Sequence, residues 1–343
     1  SRFGAPVRSA LRRPGKNRGD PPTRSRSAPS AAAIQRGIGM SDLLTHWAIF
    51  EDARRLAAQD AAIHADFSRA LDAETDIARL GALTRGGGQW VPALLARLRP
   101  NPAAVPIPNP DPRKLAFALG GIAHYAADVR MKPLMSRVAK ADWHRTHAAL
   151  QRQGDAGDGA REKDSIREVS AYYDCHVFRE VYRDGAEPPF VSGGALLGAN
   201  TDPAGRALES FVRTLFQRAL LSCHTLAPDR NDVEGWLDRL FDRLQPLYLS
   251  LDLYARVYAN PDPAKMAVYE VETTFYRADD PVVRVARAAQ RGQRLAGAEI
   301  EAALAPDANH GEYGRAVALA LRRLREASAY WDRRTDNPPD VRQ

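Results

Sequence analysis

From Ser41 onward, apolar residues recur at steps of three and four along most of the chain, a spacing that commits it to packed α-helices. In the stretch that opens this pattern, Leu43, Trp47, Phe50 and Ala53 fall on one stripe with Ser41 placed to cap, so a helix over about 42–58 is expected. The same spacing predicts helices near 60–79, 90–98, 113–131, 134–151, 162–184, 204–224, 230–257, 281–304 and 310–332. Gly86-Gly87-Gly88 and the proline-rich run Asn101 to Pro112 interrupt it, since proline cannot sit inside a helix or a central strand without cost. Strand-like character is confined to the loop Val191 to Asn200 and the β-branched and aromatic run Val268 to Phe275. No sequence unit repeats at a constant period, which excludes a solenoid. The expected fold is all-α, a compact multi-helix bundle formed by a single domain over residues 40–343.

The first 39 residues read differently. They mix Pro, Gly, Ser and Arg with few bulky apolar side chains and cannot offset the entropy of ordering, so a disordered basic leader is expected. Two origins stay open: an organelle transit peptide, whose Arg- and Ser-rich composition it loosely shares, and the preferred one, upstream sequence ahead of a natural start at Met40. Eight arginines and one lysine against Asp20 give this segment +8 of the chain's +7, which leaves −1 for residues 40–343. A near-neutral body gives no reason to expect a nucleic-acid partner, despite the overall basic balance.

Cys175 and Cys223 are the only cysteines, too few for a disulfide framework and without the paired spacing of a structural zinc site. The longest apolar run, Leu115 to Ala127, is broken by His124 and falls short of the roughly 20 residues that span a bilayer. With no hydrophobic signal core either, the expectation is a protein without a transmembrane segment, acting in the cytoplasm; its oligomeric state is open.

Chemistry concentrates in KLAFALGGIAHYAADVRMKP, where His124 and Asp128 stand four residues apart and therefore on one helix face. Gly120 and Gly121, one turn earlier, clear that face for a partner helix or a bound group. Two side chains aimed at one spot suit a metal ion, and equally a buried histidine bonded to a carboxylate. His46 shares the apolar stripe of the first helix, a position usual for a core histidine. His64, His144, His147, His176, His224 and His310 complete the set; His144 and His147 share a helix face, and His176 follows Asp174. The zincin, P-loop and nucleophile-elbow motifs are absent from the sequence.

The segments THWAIFEDARRLA and FALGGIAHYAADVRMKPL resemble the zinc-dependent phospholipase C family, which includes bacterial phospholipases C and GPI-specific phospholipase D. The likeness runs over roughly Leu43 to Tyr182. It implies an all-helical enzyme of phosphoric-ester hydrolysis, in which zinc polarises the phosphoryl group and acidifies a bound water. By the resemblance, His46 matches the first-helix zinc ligand, while His124 and Asp128 match the paired ligands of the His-x-x-x-Asp helix. Other family ligands are replaced: Leu83-Thr84-Arg85 stands for a Pro-Asp segment, Gln89-Trp90 for His-Trp, and Lys132-Pro133 for His-Pro. Arg167-Glu168-Val169-Ser170 stands for a His-x-x-Glu-type helix, followed by a recognisable Asp174.

The remaining set of two histidines and a carboxylate implies one Zn2+ rather than the family's three. His144, His147, Asp174 or His176 would complete it, and Lys132 would meet a substrate phosphate or simply snorkel from its helix. The catalytic residues themselves are not identified. The leading expectation is a metal-dependent hydrolase of a small-molecule or phospholipid-headgroup phosphoester. The alternatives are an inactive relative that binds a headgroup or protein, and a purely structural helical protein.

Overall fold

A 40-residue helix, Pro112–Gln151, forms the axis around which the other helices gather in the computed structural model. The structure describes residues 43–83, 87–100, 112–151, 158–183, 257, 260–306 and 309–340, all within one compact unit, Gly39–Gln343. In chain order the α-helices are α1 (Leu43–Ala57), α2 (Ala65–Ala73), α3 (Thr75–Leu83), α4 (Gly87–Leu98), α5 (Pro112–Gln151) and α6 (Asp158–Glu180). After Val257 follow α7 (Pro263–Val268), a π-helix (Val271–Phe275), α8 (Pro281–Gln290), α9 (Gly297–Ala303) and α10 (Glu312–Trp331). No strand occurs among the described residues, and the all-α expectation stands. The leader, Ser41, the loop Val191 to Asn200, the helix expected over 204–224 and all but Val257 of the helix expected over 230–257 lie outside them.

The helix α4 begins at Gly87, inside the expected glycine break, and three stretches are divided or joined differently from the sequence reading, each for a local reason. The stretch 60–79 starts late and is two helices: Asp60 Oδ1 accepts from the Ala62 amide in a turn and His64 Nδ1 caps α2 by accepting from Asp66 N, while Glu74, at φ −125° and ψ 42°, leaves the helical conformation between α2 and α3. The stretch 281–304 is also two: Gly292, at φ +77°, follows the end of α8 in the left-handed conformation that closes helices. Conversely, α5 runs through Pro133, where two helices were expected. The proline forfeits one backbone hydrogen bond at a cost of about 3 kcal/mol. Burial of Leu134, Met135, Val138 and Ala139 just beyond it offsets that loss. The run Val268 to Phe275 is no strand; Glu270 at φ 54° turns the chain from α7 into the π-helix.

The helix α5 packs against α1, α2, α3, α4, α6 and α10. Its contact with α3 is the closest that backbones allow. A Cβ on Gly120 would lie 1.8 Å from the Ala78 carbonyl oxygen, and one on Gly81 would lie 2.1 Å from that of Phe117. These glycines face each other because any side chain would push the helices apart. Replacing Gly120 by alanine is expected to cost about 3 kcal/mol in a urea titration, through overpacking against backbone that cannot yield. Gly297→Ala, in open space at the start of α9, is expected to change stability by less than about 1 kcal/mol.

The helix α1 is anchored by charge as well as by its buried Leu44, Ile49, Phe50 and Leu56. Glu51 and Asp52 are both buried. Glu51 receives Arg79 at 2.6 Å and Arg54 at 3.2 Å, tying α1 to α3. Asp52 receives Arg55 at 3.1 Å, the Tyr313 hydroxyl at 2.7 Å and Arg287, tying α1 to α8 and α10. Burial pushes the Glu51 carboxyl up, but Arg79, Arg54 and Arg55 together outweigh it and hold the group below its ordinary value of 4.5. A carboxyl with a lower pKa folded than unfolded stabilises fully above the unfolded value and loses that contribution as pH falls. Glu51→Gln should therefore lower stability at pH 7 by about 3 kcal/mol. It should also flatten the decline below about pH 4.5 in urea midpoints measured across pH.

Candidate metal centre

The packing of α1 and α3 on α5 brings three side chains of metal-ligating types to one point. His46 comes from the end of the first turn of α1, and His124 and Asp128 come from successive turns of α5. One ligand atom of each lies within 4.8 Å of the others. Asp128 sits between the rings: Oδ1 is 3.4 Å from His46 Nε2, and Oδ2 is 3.3 Å from His124 Nε2. The two imidazoles lean together, with centroids 4.7 Å apart and planes tilted by 32°. Both histidines are buried, while Asp128 keeps 16% of its side chain exposed and forms the mouth of the cluster.

The glycine contact determines which nitrogen of His124 is presented. Because α3 lies so close, the Ala82 carbonyl reaches His124 Nδ1 at 2.8 Å. A carbonyl only accepts, so Nδ1 carries the proton and donates it, leaving the lone pair of a neutral ring on Nε2. That Nε2 is buried and faces Asp128 Oδ2 at 3.3 Å. A histidine held by a backbone carbonyl on one nitrogen, with the other aimed inward, is the arrangement of metal-ligating histidines. Burial lowers the His124 pKa, and the neighbouring His46 adds to this; Asp128 and Ala82 pull the other way without prevailing. Burial raises that of Asp128, but His124 and His46 outweigh it and hold the carboxyl well below the usual range. Neutral imidazole beside ionised carboxylate is the ligating state of both residue types.

Of the other histidines and carboxylates singled out in the sequence, none joins the cluster among the described residues. Asp174, fully buried on α6, accepts from Thr45 N at 2.9 Å and from Thr45 Oγ1 at 2.8 Å. It thus caps the first turn of α1, one residue before His46. Burial pushes its carboxyl up to about 6, against the pull of the hydrogen bonds from Thr45 and Leu44 and of the neighbouring His46. His176 packs edge-on against Tyr276, its pKa pushed down to about 4 by burial and by Arg179. His144 is exposed on α5, about 24 Å along the helix from Asp128 at 1.5 Å per residue. The side chain of His147 lies outside the described residues.

The remaining histidines have structural work or are not described. His64 caps α2, and His310 faces the buried Asp280 at 3.0 Å; His224 lies outside the described residues. Among the positions where the resemblance replaces a ligand, Glu168 is held by the Tyr269 hydroxyl at 2.6 Å and by Lys265 at 3.4 Å. Lys132, one turn beyond Asp128, rests its ammonium on Asp128 Oδ2 while 56% of its side chain stays exposed.

The sequence reading missed three supports: the Ala82 carbonyl, the Thr45–Asp174 cap, and Gly81 as the partner of Gly120. Only the last left a signal, a second glycine in a short amphipathic helix. Compared with protein-family models, curated proteins and solved structures, the chain matches none. No helix among the described residues is long and apolar enough to cross a membrane.

The carbonyl contact has a direct spectroscopic consequence. In two-bond proton–nitrogen correlation spectra at pH 7, His124 should show the neutral tautomer protonated at Nδ1. A neutral ring protonated at Nε2 would contradict the geometry.

Proposed function

We propose that the protein is a metal-dependent phosphoric-ester hydrolase of the zinc-dependent phospholipase C kind, with a reduced centre that holds a single Zn2+. The observation that carries this reading is the convergence of His46, His124 and Asp128 within 4.8 Å, with the buried Nε2 of His124 aimed into the group. Two imidazole nitrogens and one carboxylate oxygen are a donor set of the type that binds zinc and leaves positions for water and substrate. Held there, a divalent ion would polarise a phosphoryl oxygen and acidify a coordinated water.

The chain's own groups supply the rest. Ala82 fixes the His124 ring through Nδ1, and the Asp174 cap sets the start of the helix that carries His46. Lys132, beside Asp128 at the exposed mouth, would meet the anionic phosphate of an entering ester. The substrate class is a small-molecule or phospholipid-headgroup phosphoester, with the cytoplasm as the place of action. Nucleic acid is not a favoured substrate, because residues 40–343 carry a net charge of only −1.

A second reading has one observation in its favour: no further carboxylate or histidine joins the three among the described residues. On that reading the protein is an inactive relative that binds a headgroup or a partner through the same cleft.

Elemental analysis of protein purified without added metal tests the first claim. About one zinc per chain is expected, falling to near zero in His124→Ala, with far-ultraviolet circular dichroism showing that the variant remains helical. A zinc content near zero in the unaltered protein sinks the metal reading. Given bound zinc, turnover of a chromogenic phosphodiester or phosphorylcholine ester supports the hydrolase, and its absence supports the binding protein.

A further inference from the structure

We infer that Lys132 is a built-in competitor for the metal: its ammonium occupies one oxygen of the Asp128 carboxylate on which an ion at the centre would draw, and so holds metal affinity down. The inference rests on the metal reading above and adds a regulation of that same centre. Of the two Asp128 oxygens, Oδ1 faces His46 and Oδ2 faces both His124 and Lys132. An ion within reach of both histidine nitrogens must draw on the same carboxylate, in the cleft the ammonium borders.

Four residues separate Asp128 from Lys132, the spacing at which oppositely charged side chains meet on one helix face. The lysine therefore reaches the carboxylate without any rearrangement of α5. Its counterpart is mostly shielded from water, with 16% of the Asp128 side chain exposed against 56% for Lys132. The ammonium thus gives a largely buried carboxylate its nearby positive charge at little cost, because its own hydration is mostly kept. A metal ion must either displace that ammonium or bind beside it. Even with the dielectric of water, a divalent ion and an ammonium about 5 Å apart repel enough to change an association constant about tenfold.

The test is zinc affinity, read by competition with a chromogenic chelator at fixed pH, for the chelator-stripped full chain and two variants. Lys132→Met removes the charge and keeps the length, and Lys132→Arg keeps the charge. Because Lys132 is mostly exposed, both variants should fold, which circular dichroism checks. The expected result is an association constant about tenfold higher for Lys132→Met and at or below the unaltered value for Lys132→Arg. Equal or weaker binding by Lys132→Met overturns the competition while leaving the metal centre standing. Zinc binding in neither the unaltered chain nor Lys132→Met overturns the metal reading itself, and the competition with it.

Discussion

The approach of α3 to α5 is the contact on which the candidate centre depends. Gly81 and Gly120 let two backbones meet where any side chain would collide with a carbonyl. That closeness brings the Ala82 oxygen within 2.8 Å of His124 and so determines which nitrogen faces the cluster. A separation larger by the width of one methyl group would release the ring and leave its tautomer to solvent. The arrangement is rigid because protein interiors are packed like crystals and give little when one spacing changes.

A second support acts from the other side of the cluster, through α1. Asp174 holds the helix at its first turn by two hydrogen bonds to Thr45. Glu51 and Asp52, further along, bind arginines and a tyrosine from α3, α8 and α10. His46 lies between these fixings. Charges buried in such a network contribute little net stability compared with apolar packing, yet they are costly to break singly. Their value here is to fix the position of a helix whose histidine must meet partners from α5.

Much of this was legible in the sequence where one helix contained the whole signal. The three- and four-residue apolar spacing specified α1, and the separation of His124 from Asp128 placed both on one face of α5. Boundaries failed where a single residue overrode periodicity. Asp60 and His64 stop and restart the chain between α1 and α2, and Gly292 ends α8 in an otherwise helical pattern. At Pro133 the error ran the other way, since apolar burial after a proline is invisible to a local rule. Val268 to Phe275 resembled a strand because valines and threonines crowd it, whereas its π-helix depends on Glu270 taking a left-handed conformation. The Ala82 carbonyl left no trace at all, because a backbone atom carries no residue identity.

The distribution of the three donors along the chain has a consequence for assembly. His124 and Asp128 are neighbours on α5 and come together as soon as that one segment coils. His46 is far earlier in the chain and joins them only when α1 has docked. Before docking, an ion would find two donors; after it, three. A ligand offered fewer donors by the open form than by the closed one pulls the equilibrium toward closure, in proportion to the logarithm of its concentration. Occupancy of such a centre would therefore register whether the first helix has reached its place.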